Sequence, residues 1–224
     1  MQSPKFRNVS QEEELKKAKW YKEDLDKGGW RELHKSAGAA YWMKVFPEEE
    51  IKIKILMMWE LPVPVDKVVK ALSPSNIEIR KRWDEAFADP EVLKSYSDGS
   101  HVIYIKVLTP FPLWDRSFVA YNPPDQNVDW YGKEAKMILD IPAWDESKPV
   151  GEDGCVRATN GGNFTILVPD DKDPTGACKV FALRHNNYKG WVPQALMRYV
   201  LPLRLPTTLN LYRKTIIAGC NKYF

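Results

Sequence analysis

Several things are scarce in this sequence of 224 residues, and each shortage removes a class of explanation. There are three cysteines, Cys155, Cys178 and Cys220, far apart, outside any CxxC pair and away from histidine. Neither a disulfide framework nor a metal site is expected from them, and a reduced cytoplasmic setting follows. The three histidines, His34, His101 and His185, stand alone without an HExxH or other ligand spacing. GxSxG, P-loop and GxGxxG motifs are missing, so no catalytic residue is nominated and no cofactor is expected. Asp170, Asp171 and Asp173 lack the spacing and the glutamate of a calcium loop. No uncharged run approaches the ~20 residues of a membrane span. The opening residues Met1 to Lys5 lack the apolar stretch of a signal peptide. Excess charge is scarce too. The 33 Lys and Arg against 30 Asp and Glu leave +3, too little to expect nucleic acid as a partner and enough only for weak attraction to an anionic membrane.

Aromatic residues are plentiful: nine Trp, ten Tyr and eight Phe suit a large core or an apolar cavity. The length admits one domain over 1–224, expected to be monomeric, with few apolar anchors to order the residues before Ser10. Ser10-Gln11-Glu12-Glu13 reads as a capping box, and Leu15, Ala18, Tyr21 and Leu25 recur at helical spacing before Gly28-Gly29. A helix over 11–27 is predicted. Short strands follow at 30–35 and 39–46. Ile51 to Ile55 alternates apolar residues with lysine, predicting a half-buried strand that continues through Trp59. Pro64 suits a first helical turn, with Val65, Val68, Val69 and Leu72 on one face. A short helix then ends near Trp83-Asp84.

From there to Asn187 the chain reads as strands at 101–108, 116–121, 133–139, 155–168 and 178–186. Gly161-Gly162, inside a strand pattern, suggests a bulge or a close backbone approach rather than a phosphate cradle. The segment from Pro193 to Cys220 is helical in pattern. Leu196, Val200, Leu203, Leu211 and Ile217 are placed on one face, and Pro202 and Pro206 are expected to kink it. This is an α+β order. An antiparallel sheet of that size must bury its concave face, and the long last helix is the element able to cover it.

Four segments carry a resemblance. Arg80-Lys81-Arg82-Trp83-Asp84 fits a Trp-Asp motif. Pro110-Phe111 followed by Arg116-Ser117-Phe118-Val119 fits a loop-to-strand signature. Lys179-Val180-Phe181 leads into Gly190-Trp191-Val192-Pro193, like a Gly-x-x-Pro helix opening, and Pro206 falls inside that helix. From about Glu60 onward the chain thus resembles the START (StAR-related lipid transfer) family, and in these motifs its phosphatidylcholine-transfer branch. The resemblance implies a helix-grip fold: a curved antiparallel sheet wrapped around a long C-terminal helix, with one lipid in an internal tunnel. The energetics suit such a carrier. Each methylene kept from water is worth ~0.8 kcal/mol, so some ~30 of them hold a two-chain lipid in its bilayer by more than ~20 kcal/mol unless it is enclosed.

What the resemblance implies about residues is specific. Arg80 and Asp84 match an Arg and an Asp of the phosphatidylcholine branch, where the Arg meets the lipid phosphate; an ordinary i,i+4 surface ion pair is the competing reading. That branch cages choline with three aromatics, and the matching residues here are Ile105, Phe118 and Gly161, which argues against a choline cage. The sterol branch's arginine position is Asn122. A phospholipid is therefore the favoured ligand and a sterol the second. Phe111, Leu113 and Trp114 in one loop, with Leu196, Val200 and Leu203 on the last helix, are lid or membrane-contact candidates, though Phe111 could equally plug the core. The expected activity is transfer of lipid between membranes, with transient contact at their surfaces. A lipid-sensing module that controls a partner is the alternative, and an enzyme on the same scaffold comes third.

Overall fold

Ser10 caps the first helix as its sequence suggests: its hydroxyl accepts the Glu13 N–H at 3.3 Å, and α1 runs over Gln11–Asp26. The computed structural model describes residue 6 and residues 8–85, 87–109, 114–190 and 200–224, without the side chains of Phe87 and Leu201. The expectations placed on Phe111, Leu113 and Leu196, and on residues 1–5 and 7, fall outside that set.

Thirteen strands follow or intervene among the described residues. They are β1 (Arg31–Ser36), β2 (Ala39–Val45), β3 (Ile53–Leu61), β4 (Phe87–Ser95), β5 (His101–Val107), β6 (Arg116–Asn122), β7 (Gln126–Trp130), β8 (Lys133–Pro142), β9 (Val156–Arg157), β10 (Thr159–Asn160), β11 (Asn163–Pro169), β12 (Cys178–Arg184) and β13 (Asn186–Asn187). The main sheet has the order β1-β2-β3-β12-β11-β8-β6-β5-β4, with β7 on β8 and β9 parallel to β6; β10 pairs with β13 apart from it. The pairings along the main path are antiparallel. The helices on the other side of the chain's course are α2 (Val65–Leu72), α3 (Ile77–Arg80) and α4 (Leu201–Tyr223).

The sequence pattern misses β4 and β7. Register shifts interrupt β4, and its Asp89 adopts a positive φ of 45° ahead of Pro90, so apolar alternation is lost there. The stretch 155–168 is three strands, broken at Gly161-Gly162. Gly161 is a close approach: a Cβ on it would lie 2.3 Å from the His185 ring. Pro64 sits one residue before α2, as its extended N-cap.

Both faces of the sheet are covered, where only one cover was expected. On one face α1 lays Ala18 and Tyr21 against Trp30, Trp130, Phe164 and Phe181, which is where much of the aromatic content goes. On the other, α2 and α4 pack over Tyr41, Met57, Trp59, Leu167 and Val180. Lys54, a charged position of the predicted half-buried strand, is completely buried; its ammonium pairs with Glu49 and lies 4.5 Å from the Phe46 ring centre.

The face that α4 buries also differs from the expected one. Pro202, Leu205, Leu209, Tyr212, Ile216 and Cys220 point inward at three- and four-residue steps, and of the expected face Ile217 also packs against this core, whereas Val200, Leu203 and Leu211 are exposed. Pro202 lies in the first turn of α4 as described, which tolerates it, and Pro206 is the interior proline. Gly219 gives Trp83 its seat, since a Cβ there would come within 2.5 Å of the indole.

Candidate functional site

Side chains alternate across a strand, so every second residue of the central strands faces α4. On β5 these are Ile103, Ile105 and Val107; on β6, Phe118, Ala120 and Asn122; on β8, Ile138 and Asp140; on β11, Asn163 and Thr165; on β12, Arg184. They floor a cavity of ≈140 Å³, roofed by Leu72, Pro74, Arg80 and Tyr212. The intervening residues, Tyr104, Val119, Tyr121, Leu139 and Phe164, belong to the opposite core. The cavity is apolar toward Ile105, Phe118 and Ile138, and polar toward Asn122, Asp140, Asn163 and Arg184. Ordinary small-molecule pockets begin at about 300 Å³. The part of this space that the described residues line is smaller than that.

Arg80 closes α3, and one further turn brings the Asp84 N–H to the Arg80 carbonyl at 2.9 Å. That turn sets the two side chains together: Arg80 Nε donates to Asp84 Oδ2 at 2.8 Å, and Arg80 Nη2 donates to the Tyr212 hydroxyl at 3.0 Å. Tyr212 in turn reaches Asp84 Oδ2 at 3.4 Å. Asp84 is 1% exposed and does not line the cavity; it stands behind Arg80, which does. This excludes the surface ion pair. Burial opposes the charge on Arg80, but Tyr212 and Asp84 overcome it and hold the guanidinium above its ordinary pKa. Burial pushes Tyr212 up to about 12, so the phenol is neutral at pH 7. Among the described residues the second oxygen of Asp84 has no hydrogen-bond partner, nor does Trp83 Nε1.

Of the other residues singled out from sequence, Ile105 and Phe118 are register partners on β5 and β6 and both line the cavity. Asn122 lines it too, with its amide donating to the Leu139 carbonyl at 2.8 Å and to Asp140 at 2.6 Å. Gly161 is not among the lining residues; the His185 ring is pressed against it. Trp114, Val200 and Leu203 lie away from the cavity, and Trp114 and Leu203 are 73% and 77% exposed. Sequence reasoning missed Arg184 and Asp140. Counting in twos from Val180 and Ala182, or from Ile138, would have placed both on the α4 face.

The loop after residue 113 is tied to the end of the strand region by Arg116. This 2%-exposed guanidinium donates to the carbonyls of Tyr188 at 3.0 Å, Lys189 at 3.2 Å and Trp114. Asp170 and Asp171 are paired with Lys179, and Asp171 also with Lys133, which makes them part of a surface ion-pair network. Among the described residues no group of three or more His, Cys, Asp or Glu could hold a metal ion, and no helix is long and apolar enough to cross a membrane.

Comparison with known proteins agrees with this geometry. The START domain model matches residues 10–222. Phosphatidylcholine transfer protein of Rattus norvegicus is 24% identical over 152 residues, covering 66% of this chain and 64% of that protein. The Homo sapiens protein of the same name is 27% identical over 148 residues, covering 65% and 63%. The match thus spans a little under two thirds of these relatives' length. Among solved structures, human StAR-related lipid transfer protein 5 aligns with a TM-score of 0.72 at 14% identity, covering 96% of this chain and 99% of that one. Human STARD10 aligns with a TM-score of 0.70 at 19% identity, covering 87% and 74%. At those identities the likeness concerns the fold. The sheet closed by α4, the Arg80–Asp84 pair beneath it and a family match over nearly the whole chain agree: the protein belongs to the START domain family.

Proposed function

We propose that the protein is a carrier that encloses one phospholipid between the sheet and α4 and passes it between membranes, with no catalytic step. The observation that carries this reading is Arg80: a guanidinium at the cavity wall, locked in orientation by a buried carboxylate behind it. A fixed guanidinium fork suits phosphate oxygens, which it can engage bidentately. Asp84 acts through Arg80 rather than on the ligand, while Ile105 and Phe118 line the path of the acyl chains. The name of the relatives, phosphatidylcholine transfer protein, supports a phospholipid cargo.

The ≈140 Å³ lined by the described residues is too small for a two-chain lipid, and on this reading α4 moves away from the sheet for loading. Separation exposes apolar surface, which a membrane would cover. Exposed Trp114, Val200 and Leu203 are the side chains we assign to that contact, in a cytoplasmic protein that meets membranes transiently. Native mass spectrometry of protein incubated with phospholipid vesicles, followed by transfer between two vesicle populations, tests the reading. One phospholipid per chain and protein-dependent transfer are expected. Stoichiometric loading with no transfer would leave a binding module and remove the carrier.

A further inference from the structure

Three polar groups, Arg184, Asp140 and Asn122, line the polar end of the cavity. Arg184 donates from Nη1 to the carbonyls of Phe164 at 3.2 Å and Leu183 at 3.0 Å, and from Nη1 and Nη2 to the Thr165 hydroxyl at 3.3 Å. All of these acceptors are neutral, and no carboxylate among the described residues pairs with it. Asp140 lines the same cavity, and its hydrogen-bond partner is the Asn122 amide, with no cation among the described residues in ion-pair range. Asn122 is 4% exposed, and with both amide hydrogens used its Oδ1 has no hydrogen-bond partner. A buried amide oxygen left unmatched costs stability, and beside it stand the half-buried Asp140 carboxylate, whose charge also acts on Arg80, and the Arg184 guanidinium. Kept in one cavity, they complement a ligand that carries both signs of charge a few atoms apart.

We propose, resting on the phospholipid reading above, that this cavity selects a headgroup ending in a primary ammonium over one ending in a quaternary ammonium. Arg184 joins Arg80 on the phosphate. Asp140 and Asn122 Oδ1 accept the ammonium N–H groups. A quaternary ammonium has no N–H to give and is recognised by aromatic faces. Two lining side chains are aromatic among the described residues, and both are engaged: Phe118 meets Tyr188 edge-on with centroids 6.3 Å apart, and the Tyr212 hydroxyl is held by Arg80. Three methyl groups would strip water from Asp140 without replacing its hydrogen bonds, the situation in which a polar site rejects an analogue most strongly.

The test offers lipid-free protein a vesicle mixture of dioleoyl phosphatidylethanolamine, its N-methyl and N,N-dimethyl derivatives, dioleoyl phosphatidylcholine and dioleoyl phosphatidylglycerol, and reads the bound lipid by native mass spectrometry. The expected result is a stepwise fall in loading with each added methyl, with the primary amine ahead of the quaternary one by about tenfold. Asp140→Asn, checked for a native melting transition, should bring that ratio to within about threefold. Phosphatidylcholine loading as well as phosphatidylethanolamine would overturn the proposal, as would phosphatidylglycerol loading best or a ratio unchanged in Asp140→Asn. The methyl series on the unaltered protein decides the matter if the variant does not fold. No phospholipid loading at all would instead remove the phospholipid reading, and this inference with it.

Discussion

Arg80 and Asp84 share one short hydrogen bond, and the carboxylate oxygen outside it has no hydrogen-bond partner among the described residues. The pair is therefore asymmetric: Asp84 depends on Arg80 for its charge balance more than Arg80 depends on Asp84. Removing the guanidinium leaves a buried, unpaired carboxylate. Arg80→Ala is expected to lose about 3 kcal/mol in urea unfolding, with Arg80→Ala/Asp84→Asn recovering part of that loss. Phospholipid loading should fail in both variants. A single variant as stable as the parent protein would mean that the pair does not hold this corner of the fold.

Tyr212 is the point at which α4 grips that pair. Tyr212→Phe keeps the ring and removes the hydroxyl that receives Arg80 Nη2. A loss of about 1 kcal/mol in stability is expected, together with faster lipid exchange between vesicles, because the helix is held less firmly over the cavity. Exchange at the original rate, with the same loss of stability, would place the opening motion elsewhere.

His185 sets a pH dependence. Burial first, then the charges of Lys54 and Lys17, lower its pKa from 6.5 to about 4, and Nδ1 has no hydrogen-bond partner. Between those values the unfolded chain binds a proton that the folded chain refuses. Stability is therefore complete above about pH 6.5 and declines as pH falls toward 4, by up to about 3 kcal/mol. Urea melts at pH 7 and pH 5 should show this loss, and His185→Gln, which retains a donor for the Ile51 carbonyl, should show less of it.

Gly161 is held by sterics alone, since its φ is not positive. Gly161→Ala would drive a methyl into the His185 ring, and a drop of about 1–3 kcal/mol is expected from overpacking. Combining it with His185→Ala should return much of the loss in a thermal melt. An additive double variant would show that the two residues do not press on one another.

Arg116 fastens three backbone carbonyls with one side chain. Arg116→Met leaves them unmatched and should cost about 2 kcal/mol or more. Protease cleavage near Tyr188 should rise more than cleavage within α1, which Arg116 does not touch. Equal increases at both places would indicate a general loss of stability instead.

Much of this was legible in the sequence because periodicity and capping are local signals. Ser10 and Gly28 bound α1, Val65 and Val68 face inward from α2, and the Arg-x-Phe-Val signature opens β6 with Phe118 on the cavity side. One miss lies in a turn: Lys54 is buried because the β2–β3 turn folds Phe46 and Glu49 onto it. The others are non-local. The inward face of α4 follows Leu205, Leu209 and Tyr212 because Trp83, far away in sequence, seats against Gly219 and fixes the helix's rotation. Arg184 and Asp140 went unseen as site residues because a charged residue near a strand end is usually solvated. Their placement depends on which face the neighbouring strands bury.

The alternation along β5, β6, β8 and β11 has a consequence for how such a protein can change. Val102, Tyr104, Val119, Tyr121, Leu139 and Phe164 anchor the α1 side, while the residues between them face the cavity. Adjacent codons therefore carry separate duties, one holding the scaffold and the next shaping the cavity. Under the carrier reading proposed above, substitutions at Ile105, Phe118, Asn122 or Asp140 would shift ligand preference while the aromatic layer beneath keeps the architecture intact.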